Sequence, residues 1–183
     1  MSPRGKFTLE TSSPRPLVLL SAGVGITPML SMLTQLLNES TTCGCQRQVW
    51  FIHGARNSAE HAFGAQVRGL ATRYETLHVH IRYSQPAASD RPGREYDSQG
   101  HVDIALLKTL LPFDDYDFYL CGTSPFIKAM YTGLKSLNIA DKRLHYEFFG
   151  PGTLCTGSGP SGSPGCQRDQ TWDQYLSISP ALI

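Results

Sequence analysis

The 183-residue sequence predicts an α/β fold, in which a five-stranded parallel sheet is covered by helices on both faces. The first observation is that short apolar runs, typical of fully buried strands, alternate with helical patterns along most of the chain. The second is that glycine-containing turns join strands to the helices that follow them, as in βαβ units. In such a sheet, a ligand is expected beyond the carboxyl ends of the strands.

Residues 17–38 carry the first strand and the first helix. An uninterrupted apolar run at 17–21 predicts a strand that is buried on both faces. Thr27 can cap the free amide groups of the next helix, and Pro28 suits its first position because proline has no N–H to leave unpaired there. Leucine and methionine then recur at helical spacing as far as Asn38.

The same alternation continues to residue 149. Asp103 is expected to cap a helix that Pro112 ends, and the polar stretch 84–100 is long enough to be a surface excursion. Two other helices are predicted at 59–73 and 124–138, and the other strands are predicted at 48–53, 77–83, 116–121 and 144–149.

The two ends of the chain differ in composition from this central unit. Residues 1–16 contain a strand-like run at 6–9 that has no partner strand. Residues 150–165 hold nine Gly or Pro among sixteen, and this segment buries too little apolar surface to offset its ordering entropy. A disordered Gly/Pro/Ser-rich C-terminal tail is therefore predicted, and the last eighteen residues are too few to form a domain.

Composition and charge exclude several classes of function. Sixteen Lys and Arg balance fifteen Asp and Glu, so the net charge of +1 provides no field that attracts nucleic acid. The odd count of five cysteines, without an apolar leader, predicts a reducing, cytoplasmic location. No membrane span is predicted, because glycine and proline interrupt the uncharged run 17–37, and no metal site is predicted, because Cys43 and Cys45 alone cannot complete a zinc site.

The turn at 21–28 is the first candidate for chemistry. It places Gly23 and Gly25 between a buried strand and a helix start, where backbone amides and the positive helix end can face a pyrophosphate. The turn lacks the Gly-Lys-Ser/Thr of a phosphate loop, and Pro28 stands where the usual dinucleotide fingerprint has a third Gly or Ala. The alternative is a tight turn with no ligand.

The turn at 119–125 is the second candidate, because a strand ends there in Cys121 and Gly122. A thiol and a glycine at this place could lie under a flat ring, since glycine permits close approach. The alternative is that Cys121 is a small buried side chain, as free cysteines often are.

Four motifs occur in order along the chain: Ser21-Ala-Gly-Val-Gly-Ile-Thr-Pro-Met29, His53-Gly-Ala-Arg-Asn57, Tyr119-Leu-Cys-Gly-Thr-Ser-Pro-Phe126 and Tyr146-Glu-Phe-Phe-Gly150. Together they resemble the motifs of ferredoxin-NADP reductase-like flavoenzymes, above all the reductase half of flavohaemoglobins and of ferredoxin-fused oxygenase reductases. The resemblance covers residues 17–150, about three quarters of the chain, and implies that they form an NAD(P)H-binding domain.

The resemblance implies a place for each part of NAD(P)H. The pyrophosphate is expected at Gly23, Val24, Gly25, Ile26, Thr27 and Pro28, and the nicotinamide at Cys121, Gly122, Thr123, Ser124, Pro125 and Phe126. Cys121 and Glu147 are expected to be catalytic in hydride transfer to FAD, and Phe149 to bind cofactor. Arg56 could hold the 2′-phosphate of NADPH, but similar reductases also use NADH, so the choice of nucleotide stays open.

The resemblance also implies partners. Residues 1–16 resemble the last strand of a flavin-binding barrel, and 151–183 resemble a linker with the possible start of a truncated ferredoxin-like domain. The flavin-binding Arg-x-Tyr-Ser/Thr motif does not occur, so FAD is expected mainly on another domain, with a haem or 2Fe-2S acceptor in cis or in trans. The alternatives are a nucleotide-binding or docking fragment with no turnover by itself, and an ordinary Rossmann dehydrogenase.

Overall fold

The computed structural model describes residues 7–43, 47–112 and 114–148, with the backbone alone for 41–43. The strands are β1 Leu17–Ala22, β2 Val49–Ala55, β3 Leu77–Tyr83, β4 Ser98–Gln99, β5 Asp117–Gly122 and β6 Leu144–Phe148. They form one parallel sheet in the order β4-β3-β2-β1-β5-β6. The predicted α/β class is confirmed, but the sheet formed by the described residues has six strands rather than five.

The additional strand, β4, lies within the polar stretch 84–100 that the sequence predicts as a surface excursion. It pairs only with the last two residues of β3, and a strand of two residues has no periodic signal in the sequence. The carboxylate of Asp97 fixes its position by accepting hydrogen bonds from the Ile81 N–H at 2.7 Å and from the Arg68 guanidinium at 3.1 Å.

In the described part of the chain, four helices connect the strands: α1 Ile26–Cys43, α2 Gly64–Ala71, α3 Ile104–Leu110 and α4 Ser124–Ser136. Short 3-10 turns at Gly23–Gly25 and Asp141–Arg143 precede α1 and β6. The predicted cap of α3 is confirmed, because Asp103 Oδ1 accepts a hydrogen bond from the Leu106 N–H at 2.8 Å.

The predicted boundaries of α1 are wrong. The 3-10 turn Gly23–Gly25 leads directly into the helix at Ile26, so Thr27 and Pro28 lie inside its first turn and not at its cap and first position. The helix also continues beyond the predicted end at Asn38. Within this extension, the Ser40 hydroxyl donates a hydrogen bond to the Leu36 carbonyl at 2.9 Å.

The predicted start of α2 at residue 59 is also wrong. Asn57 Oδ1 accepts hydrogen bonds from the N–H groups of Ala59 and Glu60, at 3.1 and 3.3 Å, and this holds the segment in an Asx turn. Phe63 then adopts a left-handed φ of 60° before the helix begins at Gly64. α4 ends at Ser136, two residues before its predicted end.

Two apolar cores cover the two faces of the sheet. On one face, side chains of β1, β2 and β5 pack against α1 and α2; they include Leu17, Leu19, Phe51, Tyr119 and Cys121. On the other face, the alternate residues of the same strands pack against α3 and α4; they include Val18, Leu20, Ile52, Phe118 and Leu120. Burial of successive residues on both faces explains why β1 has a continuous apolar sequence.

The segment before β1 lies against the sheet without forming the strand predicted at 6–9 in the part that is described. The Phe7 ring contacts Tyr119 with ring centroids 5.8 Å apart, and the Glu10 N–H donates to the Tyr119 hydroxyl at 2.8 Å. The Arg47 guanidinium donates to the Glu10 carbonyl at 3.0 Å and forms an ion pair with Asp117, also at 3.0 Å. The two charged side chains are only 8% and 7% exposed, so this ion pair is buried.

Candidate functional site

A cleft of about 420 Å³ opens at the carboxyl ends of the strands. β1 lies between β2 and β5, so the strand order reverses at β1, and open α/β sheets bind ligands at this kind of position. The predicted site residues that line the cleft are Gly23, Arg56, Thr123, Pro125 and Phe126. The lining residues that the sequence does not predict are Ala22, Gly54, Ala55, Ser84, Gly100, His101, Val102 and Ala129.

The first corner, residues 21–28, presents backbone to this cleft. Gly23 has a left-handed φ of 56°, and a Cβ added there would meet no atom within 4 Å. The 3-10 turn Gly23–Gly25 has no side-chain cap, and neither this turn nor the first turn of α1 contains an acidic residue. Because the first N–H groups of a helix lack partners and carry its positive end, this corner fits an anionic group.

Gly25 has a different role from Gly23. It is buried, and a Cβ added there would lie 2.1 Å from the Cys121 carbonyl oxygen and 2.8 Å from the Gly122 nitrogen. The backbone of the first corner therefore rests directly on the peptide bond at the end of β5. The absence of a side chain at Gly25 joins the first corner to the second corner, residues 119–126.

Cys121 places its thiol in the core and not in the cleft. Its side chain is 0% exposed and lies among the apolar residues that pack against α1. Burial, and secondarily the Glu147 carboxylate on the neighbouring strand, raises the pKa of Cys121 to about 12. The thiol is therefore neutral at neutral pH.

The remainder of the second corner forms one wall of the cleft. A Cβ at Gly122 would lie 2.9 Å from the Phe126 ring, so that ring packs directly over the glycine at the start of α4. Thr123 precedes α4 without a side-chain cap, and the helix has no acid in its first turn. Glu147 is exposed on β6, in register with Cys121, and Phe149 lies outside the described residues.

Other predicted residues of the two corners do not line the cleft with their side chains. Val24 is 64% exposed, Ile26 is buried, and Pro28 is half-buried. Thr27 and Ser124 are exposed.

Arg56 lies at the far rim of the cleft, after β2. Its Nε donates to Gln85 Oε1 at 2.9 Å, and a terminal guanidinium nitrogen lies 3.6 Å from a Glu60 carboxylate oxygen. The same rim includes Gly100, which has a φ of 125° and packs directly on the Arg82 guanidinium. Rim residues come from loops after different strands, so no local sequence pattern marks them as a group.

A row of polar side chains lies on the α1 face of the sheet at the same ends of the strands. The Ser21 hydroxyl is 2.8 Å from His53 Nδ1, and His61 Nδ1 is 2.9 Å from the Tyr83 hydroxyl. The two histidine rings stack with centroids 5.0 Å apart. Burial, followed by the charge of His61, lowers the pKa of His53 to about 3, so His53 is neutral at physiological pH.

Among residues 7–43, 47–112 and 114–148, the side chains form no candidate metal site and no helix is able to cross a membrane. No set of three or more His, Cys, Asp or Glu in that part of the chain could hold a metal ion, and the side chains around Cys45 lie outside it. Within the same ranges, no helix combines the length and the apolar character needed to cross a membrane.

Comparison with known proteins gives a consistent result. The family described as Oxidoreductase NAD-binding domain matches residues 19–132. A flavohemoprotein of Rhizobium meliloti is 41% identical over 150 residues, which are 82% of this chain and 36% of that protein. A flavohemoprotein of Chromobacterium violaceum is 43% identical over 149 residues, 81% of this chain and 36% of that protein. The chain thus spans about a third of the length of these curated relatives.

Solved structures with the same fold include two nucleotide-binding reductase domains. The flavohem-like FAD/NAD-binding domain of nitric oxide dioxygenase from Vibrio cholerae superposes with a TM-score of 0.65 at 32% identity, over 82% of this chain and 57% of that one. The CS-b5R domains of human Ncb5or, in the NAD+ form, superpose with a TM-score of 0.64 at 25% identity, over 79% of this chain and 40% of that one.

Proposed function

Because the chain belongs to the family of oxidoreductase NAD-binding domains, of the ferredoxin reductase-like type, we propose that it is the NAD(P)H-binding module of a flavin-dependent oxidoreductase. One observation carries this proposal. Gly25 rests on the Cys121–Gly122 peptide, so the two glycine corners are in contact and share one cleft. A single dinucleotide can then bind both corners.

The order of the strands supports one direction for the proposed dinucleotide. Phe126 follows β5, Gly23 follows β1, Arg56 follows β2 and Ser84 follows β3, and all four line the cleft. Neighbouring strands are about 4.8 Å apart, so the cleft spans about 14 Å from β5 to β3. We place the nicotinamide at Phe126, the diphosphate at Gly23 and the adenosine between Arg56 and Ser84.

In the proposed reaction, residues of this chain orient the nicotinamide and form the walls of the cleft that holds it. When bound, reduced nicotinamide supplies a hydride to FAD, held mainly by a neighbouring domain, from which electrons reach a haem or iron–sulphur acceptor. The Phe126 ring packs over Gly122 and forms the wall of the cleft where we place the nicotinamide. The neutral thiol of Cys121 packs in the core behind this wall. Glu147 is the penultimate residue of β6, in register with Cys121. We assign Glu147 to the reacting side of the nicotinamide, and we assign Cys121, whose thiol is buried, to that side through its backbone at the end of β5.

Calorimetric titration of the 183-residue chain with NADH and with NADPH tests the proposal. Gly23→Val adds a β-branched side chain to a left-handed residue that faces the cleft, so we expect affinity to fall at least tenfold, about 1.4 kcal/mol. Gly93→Val is the matched control, because Gly93 also has positive φ and open space but does not line the cleft. Absence of heat with either nucleotide, even with a donor flavin domain added, would refute the proposal.

A second candidate is a nucleotide-binding or docking fragment with no turnover by itself. The chain's span of about a third of its curated relatives favours it. Flavin absorption after addition of a donor flavin domain separates the two: bleaching of FAD by NADH that depends on this chain supports the enzyme, and nucleotide binding without such bleaching supports the fragment. A cytoplasmic location stays a prediction.

A further inference from the structure

The adenosine end of the cleft carries a carboxylate as well as a cation. The Asx turn at Asn57 folds the chain back, so that Glu60 Oε1 lies 3.6 Å from the Arg56 guanidinium. Asp90 holds this turn against the next loop, because its Oδ2 accepts hydrogen bonds from the N–H groups of Ser58 at 3.2 Å and Ala87 at 2.8 Å. These hydrogen bonds fix the backbone from which the Glu60 side chain extends toward Arg56.

This arrangement changes what Arg56 can offer to a ligand. An isolated guanidinium binds a phosphate through two parallel N–H donors. Here Nε already donates to Gln85, and a terminal nitrogen faces Glu60, so the rim has one positive and one negative charge. A 2′-phosphate at this rim would meet the Glu60 carboxylate with up to two negative charges of its own, whereas a 2′-hydroxyl would find acceptor oxygens on Glu60 and Gln85.

We propose that Glu60 is a specificity-determining residue that makes this cleft bind NADH in preference to NADPH. The proposal rests on the proposed function, because it requires a dinucleotide whose adenosine ribose reaches Arg56. Arg56 and Glu60 are 59% and 56% exposed, so their fields are weakened by water and the discrimination is moderate. Salt must weaken it further, because the Debye length falls from about 10 Å at 0.1 M to about 3 Å at 1 M.

Equilibrium binding by calorimetry tests this without relying on turnover. The full chain should bind NADH more tightly than NADPH. Glu60→Gln removes the negative charge at nearly constant shape, so we expect the NADPH dissociation constant to fall about fivefold while the NADH constant changes less than about twofold. The gain in NADPH affinity should shrink as ionic strength rises.

Glu75→Gln is the matched control. Glu75 is exposed and precedes β3, at the amino ends of the strands, opposite the cleft. It should alter neither dissociation constant. Equal affinity of the parent chain for the two nucleotides, tighter NADPH binding by that chain, or an unchanged NADPH to NADH ratio in Glu60→Gln would overturn the proposal. If the parent chain binds neither nucleotide, the proposed function fails first and this inference falls with it.

Discussion

Gly25→Ala separates the two corners in the most direct way. The added Cβ would lie 2.1 Å from the Cys121 carbonyl oxygen and 2.8 Å from the Gly122 nitrogen. Both are backbone atoms, which cannot rotate away as a side chain could. Ordinary contact begins at 3.4 Å, so the first corner must move from the end of β5 by about 1.3 Å.

The size of that movement gives the expected effect. Overpacking of this kind lowers the free energy of unfolding by about 1–3 kcal/mol. A dinucleotide that spans both corners would lose its fit at one end, since misplacement by about 1 Å can cost on the order of a hundredfold in a positioned reaction. We therefore expect NADH affinity to fall at least tenfold, about 1.4 kcal/mol.

Urea unfolding and calorimetric titration measure the two effects separately, the second under conditions where the variant is folded. Gly69→Ala is the control, because Gly69 lies on α2 and an added Cβ meets nothing within 4 Å. Its free energy of unfolding should stay the same or rise, since alanine favours helix. If the free energy of unfolding of Gly25→Ala is within about 0.5 kcal/mol of that of the parent chain, and the variant binds NADH equally well, the contact at Gly25 does not join the corners.

Two further variants test buried polar groups. Asp117→Asn leaves the buried Arg47 guanidinium without its ion-pair partner, so urea unfolding should show a loss of about 3–5 kcal/mol, and the double variant Arg47→Met/Asp117→Leu should recover much of it; an unaffected single variant would contradict this. The lowered pKa of His53 means that the unfolded chain takes up a proton between pH 6.5 and about 3 that the folded chain does not, so stability must fall as pH falls through that window. His53→Gln should remove up to about 1.4 kcal/mol per pH unit from this slope, and His61, whose pKa is also lowered by burial, contributes to the slope that remains. An unchanged slope between pH 6.5 and 5 would exclude His53 as the group.

Local sequence signals predict the elements whose causes are local. The run 17–20 is recognisable as a buried strand because all four side chains are 0% exposed, which requires an apolar residue at every position. Asp103 is recognisable as a cap because the N–H that it accepts lies only three residues ahead. The start of α2 is missed because an Asx turn at Asn57 competes with helix over the same residues. β4 is missed because it has only two residues, which are too few to show an alternating pattern. Its pairing with β3 joins residues sixteen positions apart, which local patterns do not encode.

The cleft is less accessible to sequence reasoning, because the order of strands in space creates it. Gly54 lies near the end of β2, whereas Ser84 and His101 lie after β3 and β4. The three meet only because β4, β3 and β2 are neighbours in the sheet. The pair Gly23 and Gly25 reads as one motif, yet the two residues serve different contacts. That difference depends on β5 lying beside β1, which no spacing within 21–28 encodes.

In the proposed function, backbone groups and side chains of the cleft contact different parts of the dinucleotide. The first corner meets the cleft through Gly23 and through helix amides, so in the proposed function it binds the diphosphate that NADH and NADPH share. Discrimination must then come from side chains beyond the corners: Arg56 lines the cleft, and the Glu60 carboxylate lies 3.6 Å from the Arg56 guanidinium. Gly23→Val should therefore weaken both nucleotides alike, whereas Glu60→Gln should change only their ratio. A variant that interchanges these effects would show that the adenosine lies elsewhere.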